Sequence, residues 1–165
     1  MSKVALDRLL EKFGDAVIES HANHGDETAI VKAERLHEVM AFLRDDPVTS
    51  MELLSDVTAV DLLGIKEPRF EVVYHLYSIS KNQRLRIKAP VSEEDPKIST
   101  VTDLFKVAVW EEREVYDLYG IRFEGHPDLR RILLYPEFEG HPLRKDYEIE
   151  HRQPRIPARE GRHHL

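Results

Sequence analysis

Residues 69–78 constrain the fold more than any other stretch. Phe70, Val72, Tyr74 and Leu76 fall on one side and Glu71, Val73, His75 and Tyr77 on the other, the two-residue period of a β-strand. Lys81-Asn82 follows as a turn. Residues 84–89 then alternate strictly, Leu85, Ile87 and Ala89 against Arg84, Arg86 and Lys88. The two runs read as neighbouring antiparallel strands with one apolar face that must be covered. The cationic side of 84–89 suggests a sheet edge with one side open to water.

The rest of the chain supplies the cover. Leu6, Leu9, Leu10 and Phe13 recur at helical spacing and Gly14 closes that segment. Residues 16–20 and 28–32 read as strands around the turn chemistry of 23–26, so 16–32 is a hairpin. Leu36, Val39, Met40 and Leu43 mark an amphipathic helix that ends at Asp45-Asp46-Pro47. Residues 51–62 are mostly strand-like, with a bend near Ser55-Asp56, and 64–68 form a loop. The expected fold is α+β: a largely antiparallel sheet with helices packed on one face, followed by an extended, Pro-rich C-terminal segment. The expected division is an α+β domain over 1–120 and an extended segment over 121–165.

Residues 107–120 read as a helix that stops at Gly120, with Ser99 or Thr102 as candidate caps for the region leading into it. On a wheel of 100° per residue, Leu104, Ala108, Val115 and Leu118 share a face, flanked by Val107 and Tyr119. Lys106, Arg113 and Asp117 lie opposite, and Arg113 and Asp117 have the four-residue spacing of a surface ion pair. Glu111 falls in the middle of the apolar face. A carboxylate there must stay protonated, find a partner, or meet a second protein that supplies one. Arg130, Arg131 and Arg144 are candidate partners.

Beyond Gly120 five of the nine prolines occur, with no clear helix or strand. Gly125-His126-Pro127 and Gly140-His141-Pro142 are each followed within a few residues by a basic pair. X-Pro steps favour extended backbone, so this half is expected to wrap along a surface, as functional loops and interfaces do. Its last fifteen residues carry four arginines against Glu160 alone, in a chain of net charge −7. This basic tail cannot fold by itself, and removing it is expected to weaken docking more than folding.

The acidic balance argues against general nucleic-acid binding. No run approaches the roughly 20 apolar residues of a membrane helix, and residues 1–7 lack the apolar run of a signal peptide. The absence of cysteine excludes a disulfide, a thiolate nucleophile and cysteine-ligated iron–sulfur or zinc centres. There is no phosphate-binding glycine loop, nucleophile elbow or dinucleotide fingerprint. His126 and His141, with Asp128 and Asp146, are the nearest approach to a metal set, but the two histidines are fifteen residues apart on different loops. A free-standing metal or acid/base enzyme using His126, His141, Glu111 and Glu114 is therefore the minor alternative.

Residues 112–121, Glu-Arg-Glu-Val-Tyr-Asp-Leu-Tyr-Gly-Ile, followed by His126, Arg130, Ile132 and Leu133, resemble the signature of the C subunit of NADH-quinone oxidoreductase, respiratory complex I. Residues 54–61, 123–133 and 140–147 resemble the same family, so the likeness runs from about Met51 to Tyr147. It implies a non-redox subunit of the peripheral arm, on the cytoplasmic side of the inner membrane, beside the D and B subunits. It implies no catalytic, cofactor-binding or metal-binding residue in this chain, with FMN and Fe–S clusters held by partner subunits and membrane association only through the complex. The signature residues Glu112, Arg113, Glu114, Asp117, Gly120, His126, Arg130, His141 and Arg144 are then structural or interface residues. Related subunits serve F420H2 or ferredoxin dehydrogenases and membrane-bound hydrogenases, so the resemblance fixes the role more firmly than the electron donor.

Overall fold

The computed structural model describes residues 3–154. The basic tail from Arg155 onward, and with it the expectation that it docks, lies outside the described residues. The elements in order are α1 (Lys3–Phe13), β1 (Val17–His21), β2 (Thr28–Val31), α2 (Leu36–Asp45), β3 (Leu53–Asp61), β4 (Phe70–Ser78), β5 (Gln83–Val91), β6 (Lys97–Ser99), α3 (Ala108–Tyr119) and β7 (Arg122–Glu124). Among the described residues no helix is long and apolar enough to cross a membrane.

The five longer strands form one mixed sheet in the order β1-β2-β5-β4-β3. β4 and β5 pair antiparallel from Phe70↔Val91 to Ser78↔Gln83, around Asn82 in a left-handed turn conformation (φ 52°). β3 pairs antiparallel with β4, and its register slips between Leu54 and Asp56. That bulge moves the core-facing positions from Leu54 to Val57, Ala59 and Asp61, because an extra residue exchanges the two faces of a strand. The bend read at Ser55-Asp56 is this bulge.

One expectation fails. β5 is not an edge, because β2 lies on its far side in parallel, Thr28↔Arg86 to Ile30↔Lys88. The cationic residues Arg84, Arg86 and Lys88 mark one face of an interior strand; the edges are β1 and β3. On that face Glu71 is buried between Lys66 (2.9 Å) and Lys88 (3.0 Å), which neutralise it where apolar cover is missing.

The other face carries the core. Phe70, Val72, Tyr74, Leu76, Leu85, Ile87 and Ala89 meet Leu6 and Leu9 of α1, Leu36, Val39, Met40 and Leu43 of α2, and Ala108 and Val115 of α3 in a single cluster. α2 ends at Asp46, whose carboxylate accepts the Val48 N–H (2.9 Å) and binds Arg8 of α1, so one side chain caps the turn and ties two helices. The chain runs past Gly120 into β7, which pairs in parallel with β6. Three residues are too few to show a period in the sequence. From Gly125 to Pro154 the described residues form turns and bends with no helix or strand.

Candidate functional site

α3 packs along β3 and is covered a second time by the segment after β7. It begins without a side-chain cap, at Val107 and not at Ser99 or Thr102. It ends at Gly120, in the left-handed conformation (φ +75°), whose N–H closes the last turn on the Tyr116 carbonyl. A side chain at 120 would also collide with its cover: a Cβ there would sit 2.6 Å from the His141 ring and 2.8 Å from the Arg144 guanidinium.

Arg113 and Asp117 do not pair on a water-facing surface. Both are buried, and each holds the wrapped segment by its backbone. Arg113 donates to the carbonyls of Arg130 and Arg131, both at 3.0 Å. Asp117 accepts three successive N–H groups on Oδ2, from Ile132 (3.0 Å), Leu133 (2.8 Å) and Leu134 (2.9 Å). Its Oδ1 accepts from Arg131 Nη1 at 2.7 Å. Burial pushes this carboxyl up, but those backbone donors and Arg131 outweigh it and hold it below its usual range. Arg131 reaches onward to the carbonyls of Phe138 (3.0 Å) and Gly140 (3.1 Å).

The other signature residues occupy the same seam or its rim. His126 accepts the Asp128 N–H on Nδ1 (3.0 Å), so its Nε2 carries the proton and donates to the Val109 carbonyl (3.1 Å). His141 Nδ1 faces the Asp117 carbonyl at 2.9 Å and must be the donor there. Burial, with Arg144 and Arg131 nearby, lowers the affinity of His141 for a second proton. Arg144 donates to the Tyr119 carbonyl (2.6 Å) and lies 5.2 Å from the Phe70 ring centre. The Arg130 side chain is exposed and pairs with Asp128 (2.9 Å), and Glu114 is exposed. Val109 and Asp117, eight residues apart on α3, are separated by about 12 Å along a helix. The two histidines are therefore held at opposite ends of α3, and no group of three or more metal-type ligands occurs among the described residues.

The buried glutamate is Glu112, not Glu111. Its side chain is fully buried, where its Oε1 accepts the Val101 N–H (2.8 Å) and its Oε2 bonds the Thr100 hydroxyl. Burial pushes it up to about 7 against those two bonds. Glu111 is half-buried, also pushed up to about 7 by burial and by the carboxylates of Asp56 and Glu114. Its Oε2 meets no partner. None of Arg130, Arg131 or Arg144 serves it; their guanidiniums are engaged with Asp128, Asp117 and backbone carbonyls.

The sign of the resulting pH dependence follows from the direction of these shifts. A folded-state value raised above the unfolded one gives stability that is complete below about 4.5 and is lost as the pH rises through about 7. For Glu112 that is on the order of 3 kcal/mol. Glu112→Gln keeps the acceptor for Val101 and removes the ionisation. Denaturant melts of the isolated chain between pH 5 and pH 8 are expected to show stability falling with pH, with roughly half of that fall gone in the variant. An unchanged slope would mean that Glu112 does not titrate in this window.

A second anchor was missed in the sequence. Arg69, 1% exposed, donates from Nε and Nη2 to the two oxygens of Asp61 (2.9 and 2.7 Å), from Nη1 to Glu93 (2.6 Å), and from Nη2 and Nη1 to Asp146 (2.6 and 3.1 Å). Asp61 also accepts the Lys145 N–H (2.7 Å), and Arg69 foremost brings its carboxyl down to about 2. The signal was present: Asp61 shares the core-facing side of β3 with Val57 and Ala59. A charge at such a position needs a buried partner.

These geometries define a class. The buried charges of the seam are engaged by backbone groups and by each other, so they hold one piece of chain on another. The surface keeps large apolar side chains exposed, among them Trp110 (59%) and Leu133 (61%). This is an α+β scaffold of the kind built into larger assemblies.

The family described as respiratory-chain NADH dehydrogenase, 30 Kd subunit, matches residues 29–153, and the chain belongs to it. A protein of Trichlorobacter lovleyi, named as the C subunit of NADH-quinone oxidoreductase, is 49% identical over 146 residues, which cover 88% of this chain and 89% of that one. Its namesake in Geobacter sulfurreducens is 47% identical over the same shares. Among solved structures, a trypsin-resistant fragment of Nqo5 superposes with a TM-score of 0.66 at 38% identity, covering 76% of this chain and 99% of the fragment. A chain from the membrane-bound sulfane sulfur reductase, an archaeal respiratory membrane complex, superposes with a TM-score of 0.73 at 26% identity, covering 88% of this chain and 84% of that one. The chain is thus a subunit of a multi-subunit respiratory complex.

Proposed function

We propose that this chain is a non-redox structural subunit of the peripheral arm of a proton-translocating NADH-quinone oxidoreductase. It holds neighbouring subunits in register while electrons pass from NADH through FMN and Fe–S clusters, in those subunits, to quinone. Its partners are the D and B subunits and other members of the arm, on the cytoplasmic side of the inner membrane, with membrane association through the complex alone. The observation that carries this reading is the fate of the charges on α3. Arg113 and Asp117 are spent on the backbone of residues 130–134, so the signature builds a shaped surface and not a reaction centre.

A second reading is favoured by one observation. The fold is shared with a chain of a sulfane sulfur reductase at 26% identity, so the same scaffold can serve complexes with other redox partners, and F420H2 or ferredoxin dehydrogenases and membrane-bound hydrogenases would be such complexes. The 49% identity to a relative named for NADH-quinone oxidoreductase favours the first reading. Recovery of the complex through a tag on this chain tests both: Fe–S subunits are expected in the eluate, and its preferred donor separates the two readings.

A further inference from the structure

α3 has three sides. One packs on β3 and one lies under the wrapped segment. On the third, Val107, Trp110, Glu111 and Glu114 follow at i, i+3, i+4 and i+7, a continuous stripe on a helix. Val107 is 39% exposed and Trp110 59%. Trp110 is not a stray apolar residue. Arg113, anchored by its two carbonyls, is held 5.4 Å from the Trp110 ring centre. Cation–π contact of this kind steadies an aromatic side chain from one side and leaves the other available. Exposed, steadied tryptophans are typical anchors of protein interfaces.

Beside this anchor stands a charge deficit. Glu111 Oε2 is shielded from water and has no hydrogen-bond partner. The charges acting on Glu111 are both carboxylates, Glu114 on the same helix and Asp56 at the bulge of β3. With its carboxyl raised to about 7, Glu111 either keeps a proton or, once a cation is set beside it, gives that proton up and pairs with the cation. Guanidinium suits a half-dry site better than ammonium, because it is less strongly hydrated and can bind two carboxylates at once. Phosphate groups are excluded as occupants by the carboxylates of Asp56 and Glu114, which removes nucleic acid and an anionic membrane surface.

We infer that the outward stripe of α3, with Trp110 as its apolar anchor and Glu111, Glu114 and Asp56 as its charged rim, is a docking surface for an arginine-bearing segment of a different chain in the complex. The inference rests on the reading of this chain as a complex subunit and adds where and by what chemistry one neighbour engages it. Docking places an arginine between Glu111 and Asp56 and covers the free side of the indole. It also gives a role to the unpartnered carboxyl at 111 in a helix whose other buried charges are satisfied.

The test uses the whole complex. Trp110 is replaced by the photoreactive residue p-benzoylphenylalanine, the complex is assembled in cells, irradiated and purified, and the cross-linked peptide is identified by mass spectrometry. The expected result is one dominant cross-link to another polypeptide, within a turn or two of an arginine. Alongside, Glu111→Gln is expressed in competition with the wild-type chain. It should be incorporated roughly tenfold less well, while the isolated variant melts at the same or a higher temperature, since like-charge repulsion is removed. Cross-links confined to this chain or to a second copy of it, a cross-linked segment without a cation, or equal incorporation of the variant would overturn the inference. If the wild-type chain joins no complex at all, the underlying reading fails; if it joins normally and the 110 cross-link is absent, this inference alone fails.

Discussion

Asp117→Ala is expected to release the 130–144 segment from α3 and to cost the isolated chain about 3–5 kcal/mol, the range for removing one partner of a buried charge pair. Its carboxylate satisfies Ile132, Leu133, Leu134 and Arg131 together. Removing it leaves Arg131 without its counter-charge and three N–H groups without an acceptor. Asp117→Asn keeps one good acceptor and should lose less, because the three N–H groups converge on a single oxygen. The effect separates into two observables. Urea melts report the loss of stability. Limited proteolysis reports where the chain opens, with cleavage expected between 125 and 154 before the β-sheet is attacked. A variant that loses little stability and cuts no faster would show that the wrapped segment is held by its apolar contacts.

Arg69→Ala has an effect of similar size for a different reason. The guanidinium is 1% exposed and is shared by Asp61, Glu93 and Asp146. Glu93 and Asp146 are half-exposed and can turn to water, but Asp61 cannot. Stranding its carboxylate is expected to cost about 3–5 kcal/mol. The pH dependence gives a second reading. Asp61 lies at about 2 when paired, so its contribution is present above about 4 and is lost as the pH falls toward 2. The acid limb of the stability curve should therefore flatten in the variant by about 2 kcal/mol. Arg69→Met combined with Asp61→Asn removes the stranded charge and should recover part of the loss. If the double variant is no better than Arg69→Ala, burial of Asp61 is not the cause.

What was legible in the sequence was local and periodic. The β4–β5 hairpin follows from uninterrupted alternation, the β3 bulge from the break at Ser55-Asp56, and the end of α3 from Gly120, which alone can take φ +75° beneath His141 without strain. What was not legible depended on distant segments meeting. β2 beside β5 is a parallel contact across more than fifty residues, with no local mark in either strand. The reading of α3 failed for a related reason. A helical wheel assumes one covered face, whereas α3 is covered by β3 and again by the wrapped segment. Arg113 and Asp117 sit under that second cover, so residues on the polar side of the wheel are among the most buried. Glu112 faces the core because Thr100 and Val101 offer it bonds there, and Glu111, which the wheel placed at the centre of the apolar face, is left half-exposed. A charge adjacent to a family signature is thus better judged by asking which backbone groups it can reach than by the polarity of its neighbours.

A subunit whose proposed role is to hold its neighbours in register has no turnover apart from them. The most direct test of that role is the composition and mass of what an affinity tag on the wild-type chain recovers from native membranes. The expected result is one copy of this chain in a large assembly with Fe–S subunits, and NADH-to-quinone activity that stays with that assembly and is absent from the isolated chain. A monomer recovered alone, with turnover of its own, would contradict it.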